Sequence, residues 1–95
     1  MSHALSFLEA LAETSESMAK AAAMQEWERL VQLQKERTAL IDTMPDNLAA
    51  HLLPGERTRA AELIETCRRI DTQILALVGE RQTELRILLR EPALA

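Results

Sequence analysis

Aromatic residues, glycine and cysteine are nearly absent from this chain. Phe7 and Trp27 are the only aromatics in 95 residues, and there is no tyrosine. A β-rich fold would want more valine, threonine and tyrosine. Gly55 and Gly79 are the only glycines, 24 positions apart, too few for a glycine-rich phosphate loop. Cys67 stands alone, which rules out an internal disulfide and a cysteine cluster for a metal. A structural thiol on a helix face is the expected reading, with a reactive thiol, which has no histidine near it in sequence, as the alternative. His3 and His51 have no carboxylate or cysteine at metal-ligand spacing, and no serine, histidine and aspartate arrangement is evident. No metal, cofactor or catalytic residue is therefore expected. No apolar run approaches the roughly 20 residues of a membrane span. The N-terminal segment lacks the basic region of a signal peptide, so the expected location is the cytoplasm. Nucleic-acid affinity rests largely on lysine and arginine neutralising phosphates. The formal net charge is −4 and no stacking aromatics sit beside the basic residues, so no nucleic-acid partner is expected.

What is present is helix-forming. Apolar residues make up 47% of the chain, and alanine, leucine, glutamate and arginine dominate. The length suits a single domain over 1–95, one that buries about two-thirds of its unfolded surface. Residues 2–22 read as a first helix with Ser2 as N-cap. Ala4, Leu8, Leu11, Ser15, Met18 and Ala22 recur at steps of three and four, with Glu9, Glu13, Glu16 and Lys20 opposite. Residues 26–44 read as a second helix, with Trp27, Leu30, Val31, Leu33, Leu40, Ile41 and Met44 over about half of its circumference. The junction at 22–25 contains no glycine or proline, and propensity alone would run one helix from 4 to 44. Pro45 stops the second helix, residues 48–53 allow one short helical turn, and Pro54-Gly55 closes the loop. Residues 56–90 read as the longest helix, about 50 Å at 1.5 Å per residue, with Pro92 ending the helical run. Its apolar positions include Leu63, Ile70, Ile74, Leu77, Val78 and Leu85.

The apolar arcs of the second and third helices exceed the roughly 100° stripe that a surface helix needs for its own core. Some apolar surface is therefore expected to stay open, which marks either a partner site or self-association. Arg37, Asp71 and Arg81 fall within these arcs, and ionisable groups there need partners. Local pairing such as Asp71 with Arg68 is one reading, together with snorkelling of the arginine stems. Anchoring of a bound peptide is the other. The methionines inside the fold, Met18, Met24 and Met44, read as ordinary gap-fillers.

The segment Glu16-Ser17-Met18 with its alanine stretch, then Trp27-Glu28-Arg29-Leu30 and Glu36-Arg37, resembles the N-terminal half of the flagellar export chaperone FliT family. Ile70-Asp71, Ile74, Leu77, Arg81 and Glu84-Leu85 resemble that family's third helix, so the resemblance covers about residues 5 to 90. It implies an all-α fold, a small antiparallel helical bundle of three main helices, with a turn before the tryptophan-bearing helix. It also implies a chaperone that binds the C-terminal region of the filament-cap protein, keeps it unassembled until export, and contacts the export ATPase complex. Enteric members carry a fourth helix over the binding surface and restrain a transcriptional activator. No counterpart of that helix is expected in these 95 residues.

Residues 70–81 also resemble the first helix of small helical chorismate mutases, whose site needs several cations. The spacing from Asp71 to Arg81 fits that pattern, but Ile64 and Pro92 stand where two further cations belong. Charge stabilisation cannot work without its charges, and the enzyme reading ranks last, behind a homo-oligomeric helical structural protein or homodimer. The expected partner-binding residues are Leu63, Ile70, Ile74 and Leu77 on the third helix, with Leu33 and Leu40 on the second. Together they are expected to line a groove for an amphipathic segment.

Overall fold

The computed structural model describes residues 2–94. Three helices carry the fold: α1 over His3–Ala23, α2 over Trp27–Asp42 and α3 over Arg57–Leu94. Short 3-10 turns occupy Leu48–His51 and Pro54–Glu56 in the α2–α3 connection, and no strand occurs among the described residues. The course is up-down-up. Leu5 and Leu8 share a cluster with Ala60 and Leu63, while Met18 and Ala22 meet Ile70 and Ile74, so α1 and α3 run parallel. Leu30 joins the second of these clusters and Arg37 reaches back to Ser15, so α2 runs antiparallel to both.

The helix ends have local causes. The Ser2 hydroxyl accepts from the Leu5 N–H at 3.1 Å, an N-cap that satisfies one of the orphan donors of α1. The α1–α2 turn is made without glycine. Gln25 takes φ +60°, its N–H reaches the Ala22 carbonyl at 3.1 Å, and the Glu26 N–H reaches that of Ala21 at 2.8 Å. This paired closure is a Schellman motif with glutamine in the left-handed position that glycine usually takes. It breaks the continuous helix that propensity allowed. At the other end α3 runs through Pro92 to Leu94, further than expected. Proline removes one bond to the carbonyl four residues back, a local cost that does not unwind a turn with so few residues beyond it.

The core has two apolar parts. Met18, Ala21, Ala22, Leu30, Leu33, Ile70 and Ile74 form one, and Leu5, Leu8, Ala12, Ala60 and Leu63 the other. Each large aliphatic side chain buried there contributes about 1.5–3 kcal/mol of transfer free energy. A polar layer separates them. Ser15, fully buried at 0% exposure, donates to the Cys67 Sγ and accepts from Arg37 Nη1 at 3.3 Å. Arg37 Nη1 also binds the Asp71 carboxylate, and Nη2 binds Gln34 Oε1 at 3.1 Å. The partner of Asp71 is thus an arginine on another helix, rather than the neighbouring Arg68. Burial pushes the Cys67 thiol above its ordinary pKa, in keeping with a structural thiol.

The molecule is elongated. Its radius of gyration is 17.3 Å, against about 12–13 Å for a compact domain of this length. The reason is α3, whose 38 residues span about 57 Å, whereas α1 spans about 31 Å. Arg81 and Glu84 still border the α1–α2 end of the bundle beside Trp27, and beyond them Leu85, Ile87 and Leu88 of α3 are exposed.

Candidate functional site

Wide apolar arcs predict open apolar surface, and the structure shows where it lies. Helices α2 and α3 both rest on α1, and a groove of about 570 Å³ opens between them. Met18 of α1 forms its floor. Leu30 and Val31 line the α2 wall, and Ile74, Leu75 and Val78 the α3 wall. Val31 is 55% exposed and Leu75 72% exposed, so the rim is apolar and open to solvent. One end of the groove is polar, with Gln34, Lys35, Arg37 and Asp71. Asp71 is half exposed there, at 48% for the side chain, while Arg37 is held at 15%.

The six residues expected to contact a partner are distributed differently. Leu33, Leu63, Ile70 and Ile74 are buried in the free chain, and only Ile74 also lines the groove. Leu40 lies at the opposite end of the bundle. There it lines a second cavity of about 550 Å³ with His3, Phe7, Pro45 and His51. Leu77 is partly buried against the core and borders a small pocket beside Trp27. The physical reason is angular. The centre of each arc faces α1 and is covered, whereas the rim is not. Val31 and Leu75 each follow a buried residue, Leu30 and Ile74, and so stand about 100° further round. Their position on the edge of an over-wide arc is the sequence signal that finds them.

Arg81 is also accounted for. Its guanidinium lies over the Trp27 ring, 5.6 Å from the centroid, a cation–π arrangement at the end of the bundle. It borders the pocket beside Trp27, whereas Asp71 lines the groove. The two residues of the mutase-like spacing therefore serve different places. Among the described residues no group of three or more histidine, cysteine or acidic side chains could hold a metal. Among the described residues no helix is long and apolar enough to cross a membrane.

Fold and site together define a small all-α bundle whose distinguishing feature is an open apolar groove between two helices. The family model of flagellar protein FliT matches residues 5–91, nearly the whole chain, and the chain belongs to that family. Membership assigns it to flagellum biogenesis. No curated protein and no solved structure matches the chain.

Proposed function

We propose that this protein is a cytoplasmic export chaperone of the flagellar type III pathway that acts by binding, not catalysis. The observation that carries the reading is the groove between α2 and α3, with its exposed apolar rim at Val31 and Leu75. Contiguous apolar surface of this kind marks interaction sites. Family membership supports the flagellar setting.

The proposed occupant is the C-terminal region of the filament-cap protein, bound as an amphipathic helix. From Asp71 to Val78 the groove spans two turns of α3, about 10–11 Å. A helix lying along it would present apolar anchors at i, i+3 or i+4, and i+7 to Met18, Val31, Leu75 and Val78. Lys35 at the polar end, where Asp71 already neutralises Arg37, would favour an acidic residue on the occupant. Covering that segment would keep the cap subunit from assembling before export, and the loaded complex would then meet the export ATPase complex.

Isothermal titration of the cap protein's C-terminal segment tests this. Both Val31 and Leu75 are exposed, so Val31→Glu with Leu75→Glu should leave helicity intact by circular dichroism. Two charges in an apolar contact should weaken binding at least tenfold, about 1.4 kcal/mol or more. Unchanged affinity in the folded double variant would place the binding site elsewhere.

A further inference from the structure

We propose that α2 is a hinged wall of the groove, and that Arg37 and Arg81 are the positioning residues that hold it closed against α3. The wall is lightly held. The backbone of α2 packs on α1 and barely approaches that of α3, and only Leu30 and Leu33 of its residues are buried. Two side-chain clasps span the gap. At one end Arg37 of α2 binds the Asp71 carboxylate of α3. At the other the Arg81 guanidinium of α3 lies over the Trp27 ring of α2, 5.6 Å from the centroid. Trp27 and Arg37 are ten positions apart on α2, as Asp71 and Arg81 are on α3. The two helices run in opposite directions, so both clasps fall in one register, about 15 Å apart. The walls of the groove, Leu30 and Val31 facing Ile74, Leu75 and Val78, lie between them.

Each clasp is built to release. A buried donor without a partner carries an uncompensated desolvation cost. Among the described residues the buried side-chain donors in that state are Trp27 Nε1 and Arg37 Nε, one in each clasp. Swinging α2 outward returns both to water, which offsets part of what the broken clasps lose. Arg81 is itself exposed, and a hydrated cation over a ring is held only weakly. Both ends of α2 can absorb the swing. Gln25, at φ +60°, is a single strained position before it. The connection after it, residues 43–56, contains only turns and short 3-10 pieces. A segment seated on Met18 between Val31 and Leu75 gains depth when the wall moves out. By linkage, an occupant that opens the clasps binds more tightly once a clasp has been removed. That coupling rests on the reading of the groove as the cargo site, whereas the hinged wall itself does not.

Distances between paired spin labels on the full chain are the test. In a Cys67→Ser background, nitroxides at Gln32→Cys of α2 and Gln73→Cys of α3 occupy exposed positions outside the groove. A control pair at Glu13→Cys and Gln73→Cys, both exposed, reports α1 against α3. Without cargo, Arg37→Met with Arg81→Gln should lengthen and broaden the α2–α3 distance, leaving the α1–α3 distance and the helicity unchanged. Arg81 lies outside the groove, so Arg81→Gln alone should tighten binding of the filament-cap C-terminal segment about fivefold or more. The same segment should lengthen the α2–α3 distance of the parent. An α2–α3 distance that does not change in the double variant would overturn the hinged wall, as would one that grows only together with the α1–α3 distance. Equal or weaker binding by Arg81→Gln would overturn its coupling to cargo. A segment that binds neither protein would overturn the cargo reading, while the cargo-free distances still decide the wall.

Discussion

Removing Asp71 should cost more stability than removing its buried partner Arg37. Arg37 lies in the layer between the two apolar clusters, with its side chain 15% exposed, and holds Asp71, Ser15 and Gln34. Asp71→Ala leaves the guanidinium without its counter-charge. Breaking a fully buried ion pair from one side costs about 3–5 kcal/mol. Asp71 is half exposed and the guanidinium keeps two neutral partners, so about 1–3 kcal/mol is expected here. Arg37→Met behaves differently. Asp71 regains water, and Ser15 still donates to Cys67. The buried Arg37 Nε, which has no partner among the described residues, disappears. Methionine fills much of the stem's volume, so the expected change lies within about 1 kcal/mol of zero. The double variant should resemble Arg37→Met alone, with a coupling of about 1–2 kcal/mol. Urea unfolding followed by far-UV circular dichroism, at one low protein concentration, measures all three variants. An Arg37→Met cost above about 2 kcal/mol, with an Asp71→Ala cost below about 0.5, would refute the reasoning.

Two further outcomes follow from the helix ends. Gln25 holds a left-handed conformation that costs a non-glycine residue about 1–2 kcal/mol. Gln25→Gly should therefore raise stability by roughly 0.5–1 kcal/mol once the extra freedom of the unfolded chain is subtracted, and a lower melting temperature would count against the turn described. The pKa of the Glu56 carboxyl is held below the ordinary 4.5 by the Ser2 hydroxyl beside it, then by the Ser2 N–H at 2.9 Å and the Leu53 N–H at 2.8 Å. A depressed carboxylate contributes stability above its unfolded pKa and loses it as pH falls through the folded one. Melting temperatures taken from pH 7 down to 3 should thus fall less steeply below about pH 4.5 in Glu56→Gln than in the parent, and parallel curves would contradict this.

Much of the architecture is legible in the residues. Periodicity places all three helices within a few positions, and Ser2 and Pro45 mark ends that the structure keeps. The α1–α2 turn is not legible from propensity, because Met24-Gln25-Glu26 contains no breaker and its closure depends on one strained φ. Family resemblance, not local chemistry, indicates the turn. The site is half legible. Over-wide arcs signal an open groove between α2 and α3, and one exists. Periodicity alone does not say which part of an arc a third helix will cover, however, so Leu33, Leu63 and Ile70 lie in the core while Val31 and Leu75 form the rim. Arg37 shows the same limit. Its position in an apolar arc signals a buried charge, but the choice of Asp71 over a closer residue is a tertiary event.

The α2–α3 groove is the proposed seat of the partner segment. Methyl chemical-shift mapping during titration with the filament-cap C-terminal segment tests it most directly. Shifts should concentrate at Met18, Val31, Leu75 and Val78, with Leu5, Leu8 and Leu63 at the far end little changed. Shifts centred instead on Leu40 and the cavity it shares with Phe7 would contradict the account.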